Sequence, residues 1–152
     1  MIHRKYMRLF LLSCFMLFHP FVYALDNPEA KDYVSQFKKE SQIYEAKIES
    51  SNKNVDLQNI YNQYIHFLEK ELLKGGKQML NNLSDAQSKQ IFIKSENRWE
   101  DYKNQEFEFI DTLFSRNTVG SSYIISRGAA KVSILKTRVI QLYRYLKHFP
   151  PS

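Results

Sequence analysis

Cysteine is almost missing from this 152-residue chain, with Cys14 the single one. That excludes an intrachain disulfide framework and a site built from several thiolates. Glycine and proline are scarce, at four each. A fold of many short strands and tight turns needs more of both, so the composition leans helical. Of four histidines, only His66 and His148 lie beyond the first 24 residues. Neither belongs to a His-x-x-x-His or Glu-x-x-His pair, the helical spacings that hold zinc. His66 sits beside an apolar helical face, and His148 falls in a last turn, where a helix dipole favours a cation. Gly75-Gly76 lacks the Lys-Ser/Thr of a phosphate loop, and no serine stands in a nucleophile elbow. Glu106 has no carboxylate partner at a recognisable spacing and reads as a core-edge acid held by a base. These absences predict a protein that is not an enzyme and carries no cofactor and no metal.

What is present suits a small helical domain. Hydrophobic residues make up 43% of the chain, aromatic residues 14% and charged residues 25%. The formal net charge is +6. Arg4, Lys5 and Arg8 stand in a leader without acids, which leaves residues 25–152 with 19 bases, 16 acids and a surplus of three. Those bases are spread among acids, a pattern that argues against nucleic-acid binding.

Residues 1–24 read as a signal peptide. A basic start precedes an apolar run over 9–18, and Val22 and Ala24 fit the −3 and −1 positions of a cleavage site. The run is short of the ~20 residues that span a bilayer. The reading is export across the inner membrane to the periplasm, with no membrane span after cleavage. Leu11-Leu12-Ser13-Cys14 offers a minor alternative, a lipoprotein anchored at Cys14, although its preceding apolar stretch is only about five residues.

Residues 25–152 are then expected to form one domain with four helical segments. The first, about 28–51, places Ala30, Tyr33, Phe37, Ser41, Tyr44 and Ile48 on one face, with Asn27-Pro28 as its start. The second, about 55–83, carries Leu57, Ile60, Tyr61, Tyr64, Phe67, Leu68 and Leu72, and Gly75-Gly76 is expected to end or kink it. The third opens on a Ser84-Asp85-Ala86-Gln87 capping box. Its stripe reads Ile91, Phe92, Ser95, Trp99, Tyr102, Glu106, Phe109 and Leu113, which leaves Phe107 and Phe114 outside and exposed. The fourth follows Val119-Gly120, capped by Ser121 or Ser122, and sets Gly128, Val132, Leu135, Val139, Leu142 and Leu146 on a seam until Pro150-Pro151. No stretch alternates as a strand. The expected fold is all-α, an antiparallel up-and-down bundle of about four helices.

Across 57–142 the chain resembles the lysozyme-inhibitor LprI-like family of small exported proteins. The pieces are Asn59-Ile60-Tyr61-Asn62-Gln63-Tyr64, then Gln87, then Trp99-Glu100-Asp101-Tyr102-Lys103, then Val119-Gly120-Ser121, and Thr137-Arg138-Val139-Ile140-Gln141-Leu142. The family shows a Trp with Tyr-Arg-Asp three residues on, a Gly-Ser turn, and a late Arg followed by Leu. Here Lys103-Asn104 replaces the Arg-Asp. The two family cysteines would fall near Phe107 and near Ala129 or Ala130, so the resemblance implies a cysteine-free variant in which an aromatic packed on a small residue replaces a bridge. If Phe107 is buried, Phe107→Ala would then cost about 3–5 kcal/mol.

The resemblance implies a non-catalytic binding protein, an inhibitor of lysozyme or another cell-wall hydrolase. An envelope accessory protein and an immunity protein against a secreted toxin share every feature of the sequence. The implied partner is a protein, with no nucleic acid. Basic lysozymes would be repelled by a surplus of positive charge. A local acidic patch at Glu96, Glu100, Asp101, Glu106 and Glu108 would offset that. The expected binding residues are Glu100, Lys103, Phe107, Asn117 and Ser121, on the third-helix flank and the turn after it. Trp99, Tyr102, Gly120 and Arg138 are family-motif positions expected to be mainly structural, with Arg138 paired to a third-helix acid.

Overall fold

The computed structural model describes residues 31–148. The leader with its cleavage site, Cys14, the Asn27-Pro28 start, Ala30 and the Pro150-Pro151 stop lie outside them. The described residues form α1 (Tyr33–Ser50), α2 (Asn54–Asn82), α3 (Ala86–Leu113), the short α4 (Arg116–Val119), a 3-10 turn (Gly120–Ser122) and α5 (Tyr123–His148). No strand occurs among them, and no described helix is long and apolar enough to cross a membrane.

The helix ends follow local chemistry, in places one step from the sequence reading. Asp32 caps α1 by accepting from the Ser35 amide at 3.0 Å and from its hydroxyl at 2.6 Å. α1 therefore starts at Tyr33, later than the expected 28. Asp85, not Ser84, caps α3, accepting from the Ser88 amide at 2.7 Å. An ionised carboxylate is at least as good an acceptor there as a hydroxyl. Hydrogen bonds to these exposed carboxylates, chiefly from Ser35 and Ser88, hold both below the usual Asp range.

Before α5 the chain makes α4 and the 3-10 turn instead of a serine cap, and the Ser122 hydroxyl donates to Val119 O at 2.9 Å. Gly120 opens that turn at φ +62°, a conformation costly for a residue with a Cβ.

Gly75-Gly76 does not end α2, which continues to Asn82. The pair acts through packing. Gly75 is buried, and a Cβ there would lie 3.4 Å from Leu142 and Tyr143 of α5. Further along, a Cβ on Gly128 of α5 would lie 2.3 Å from the Tyr61 ring. The Tyr61–Gly128 and Gly75–Leu142 contacts run in the same direction along both helices, so α2 and α5 are parallel. In an up-and-down bundle such a pair is diagonal and usually kept apart. Here the two glycines let the diagonal close.

α1 and α3 flank this central pair. α1 is antiparallel to α2 through the Phe37–Phe67 and Tyr44–Tyr64 ring stacks, with centroids 6.0 and 4.9 Å apart. It is antiparallel to α5 through Tyr33–Tyr143 stacking and the Glu45–Lys136 ion pair. α3 is antiparallel to α5 through Glu96–Arg138 and Asp111–Lys131. The core between α2 and α5 is Leu57, Tyr61, Tyr64, Leu68, Met79, Val132, Leu135, Val139, Leu142 and Leu146, with Phe37 from α1.

α3 departs most from its expected face. Its inward line is Phe92, Glu96, Trp99, Lys103, Phe107, Ile110 and Phe114, buried or half-buried. Ile91, Tyr102, Phe109 and Leu113 are exposed, as is Ser95. Phe107 and Phe114 are therefore partly covered, while stripe residues face solvent. Both lines obey the 3.6-residue period and both are apolar, so periodicity cannot choose between them. Phe107 lies beneath the Lys131 and Lys103 ammonium groups, at 4.9 and 5.9 Å, while Ala129 is exposed and Ala130 half-buried.

Candidate functional site

α2 and α3 are joined by only three residues, yet α3 turns its buried line towards α5 rather than α2. A groove of about 680 Å³ stays open between them. α2 contributes Leu72, Leu73, Gly76 and Leu80, and α3 contributes Phe92, Ile93 and Trp99. Gly76 widens it, since a Cβ there would meet nothing within 4 Å. Leu73 is 76% exposed and Ile93 45%, so large apolar side chains face water at the groove's mouth. The lining covers 69–80 of α2 and 92–103 of α3, a length of about 16 Å, or three helical turns.

Charged groups line the same groove as Glu69, Lys77, Glu96, Glu100 and Lys103. Glu96 is paired with Arg138, which lies behind Trp99 with its guanidinium 5.6 Å from the ring centroid and also donates to Gln141 Oε1 at 2.7 Å. Arg138 is buried, and its Nε finds no acceptor among the described residues. Lys103 is buried too, 2.5 Å from Glu100 Oε1, with its ammonium over the Trp99 and Phe107 rings. Two of the five acids of the expected patch, Glu96 and Glu100, are thus neutralised in place. Asp101 and Glu108 remain exposed.

The expected binding residues divide between two places. Glu100 and Lys103 meet at the groove beside the motif residue Trp99, with Arg138 behind. Lys103 serves as the groove's base and not as an exposed contact, because its stem and ammonium are covered by the rings. Phe107 lies one turn beyond the lining. Asn117 in α4 is exposed and Ser121 stands in the 3-10 turn, both past the end of α3, which itself lies about 15 Å from Lys103 along the helix. Gly120 shapes that turn. Tyr102, expected on the inward stripe, is 49% exposed. The helical stripes of the sequence do not single out Leu73, Gly76, Leu80 and Ile93. Leu73, Leu80 and Ile93, apolar residues off the α2 and α3 stripes, are the available signals.

Other polar groups form closed networks. Tyr64 OH bonds the Ser41 hydroxyl and donates to Glu45 at 3.0 Å, and Lys136 donates to the same Glu45 oxygen at 2.5 Å. Tyr143 OH donates to Glu71 at 2.5 Å, and Lys74 donates to both Glu71 oxygens at 3.1 Å. Burial drives both phenols well above the usual tyrosine range, so they remain donors. Asp111 is shared by Lys131 at 2.7 Å and Arg127 at 3.7 Å. Glu106 enters no ion pair among the described residues, where the sequence pattern predicts a base holding it. No group of three or more potential metal ligands converges among the described residues.

No family model, no curated protein and no solved structure matches this chain.

Proposed function

We propose that the chain is an exported, non-catalytic binding protein that seizes a cell-wall hydrolase through the groove between α2 and α3. The observation that carries this reading is the open apolar groove itself, with Leu73 and Ile93 exposed at its mouth. A helix or loop with apolar anchors at three- and four-residue spacing suits a groove of three turns. The pairing of Glu96 with Arg138 and of Glu100 with Lys103 supports recognition over chemistry, since paired carboxylates are poor general bases. The resemblance to the lysozyme-inhibitor LprI-like family supplies the target class, and the Val22/Ala24 site supplies the periplasmic location.

The test is a muramidase assay with purified protein at micromolar concentration, on lysozymes and on wall hydrolases of the cell envelope. Stoichiometric inhibition that disappears in Leu73→Glu and Ile93→Glu is expected. Both side chains are exposed, so these variants keep the fold. Unchanged hydrolase activity throughout overturns the hydrolase reading, and inhibition that survives both substitutions overturns the groove.

A further inference from the structure

α3 is the least buried of the long helices, with only Lys103 and Ile110 fully buried. Its second apolar line, Ile91, Tyr102, Phe109 and Leu113, is 60%, 49%, 58% and 45% exposed. At 100° per residue this line stands about 100° round the helix from the inward face. It is also on the flank away from the groove, because none of the four lines it. Closure of the α2–α5 diagonal holds α1 and α3 apart, and this flank has no helix beside it among the described residues.

The line is self-complementary. Ile91 and Leu113 both stand eleven residues from Tyr102, about three full turns. Small Ser95 and large Phe109 both stand seven residues from it, about two turns. Reversed about Tyr102, the pattern sets aliphatic against aliphatic, small against large, and ring against ring. Arg98 and Glu106 are the only charges within about 60° of the line. The same reversal puts Arg98 level with Glu106 and brings no like charges together.

We infer that α3 is a homodimer interface, with two copies packed antiparallel about a two-fold axis at Tyr102. An isologous contact of this kind requires that residue i meet j while j meets i, which this spacing supplies. The stripe is about 33 Å long and one helix wide, so the dimer buries on the order of 1,000 Å² in all. That is the low end for a specific interface, and dissociation in the micromolar range follows. Both grooves stay open in such a dimer.

The test is sedimentation equilibrium of the purified protein as exported, its leader removed, from about 1 to 300 µM, a range chosen to bracket a weak interface. A reversible monomer–dimer equilibrium is expected. Tyr102→Glu and Phe109→Ser each weaken it at least tenfold, since every substitution acts twice across the axis. Ile43→Ser and Leu73→Ser, exposed apolar sites elsewhere, leave it unchanged. Circular dichroism and thermal melting confirm that each variant is folded. The register is read by cysteine cross-linking in the same exported chain, which has no cysteine of its own once the leader with Cys14 is removed. Ile91→Cys mixed with Leu113→Cys cross-links on mild oxidation, whereas Ile91→Cys alone does not. A monomer across the whole range, a dimer indifferent to Tyr102→Glu and Phe109→Ser, or an Ile91→Cys self-cross-link overturns the proposal.

Discussion

Gly128 of α5 lies against the face of the Tyr61 ring of α2, so closely that a Cβ there would come within 2.3 Å of ring atoms. Tyr61 is buried, and burial raises its phenol above the usual range. The contact fixes how near the parallel central helices come, and thereby how far apart α1 and α3 stand. Gly128→Ala must push the ring or the helix aside. A loss of about 1–3 kcal/mol is expected, the usual cost of overpacking. Gly76→Ala is the counterpart. Its Cβ would meet nothing, so the helix gains about 1 kcal/mol of intrinsic propensity. Chemical denaturation of the two variants should move the midpoint in opposite directions.

Much of this architecture is legible in the sequence. The seam of α5, from Gly128 to Leu146, follows one unambiguous spacing and is buried throughout. α2 is equally clear up to its glycines. There the local cost of Gly-Gly points to a break, but tertiary packing of Gly75 on Leu142 and Tyr143 outweighs it. α3 is ambiguous for a definable reason. Trp99 and Tyr102 are three residues apart, and either could lead an apolar line. Arg138 decides the matter, because pairing with Glu96 turns the Trp99 line towards α5. The groove is not legible, since it is the space left by that rotation and by Gly76.

The Glu96–Arg138 pair is expected to be asymmetric. Arg138 is buried, while Glu96 keeps about a quarter of its side chain in water, 27%. Glu96→Ala strands the guanidinium and should cost about 3 kcal/mol. Arg138→Met removes the charge, fills similar volume and leaves a carboxylate that water can reach. It also relieves the unpartnered Nε, so its cost should be about 1 kcal/mol or less. A double-mutant cycle by urea denaturation checks this. A larger loss for Arg138→Met would reverse the assignment.

Phe107 offers a graded test of how α3 is attached. It is half-buried under Lys131 and Lys103, so truncation removes only part of a full aromatic burial. Phe107→Ala should cost about 1–2 kcal/mol, below the 3–5 kcal/mol of a fully enclosed ring. Phe107→Leu should recover most of that loss. A loss above about 3 kcal/mol would show Phe107 to be a core residue that replaces a bridge.

Acid and alkali should act on different parts of the bundle. Hydrogen bonding from Lys136, then from Tyr64 and Ser41, holds Glu45 below its ordinary value of 4.5. The unfolded chain therefore binds the proton first on acidification. Stability from this site is complete above about pH 5 and is lost as pH falls through the lowered value. Asp32 and Asp85 act in the same sense. Tyr64 and Tyr143 are raised by burial from an ordinary value of 10.0, so their protons leave the unfolded chain first on the alkaline side. Their contribution is complete below about pH 10 and declines above it. Thermal melts across pH should show a plateau with two falling limbs. Glu45→Gln should flatten the acid limb and soften the alkaline one only slightly, since burial is the main cause of the raised Tyr64 phenol, Glu45 a lesser one, and Tyr143 is untouched. Tyr143→Phe should flatten the alkaline limb while leaving the acid limb in place, since Glu45 keeps Lys136, Tyr64 and Ser41. An acid limb unchanged in Glu45→Gln would assign acid sensitivity to carboxylates outside the α1–α2–α5 junction.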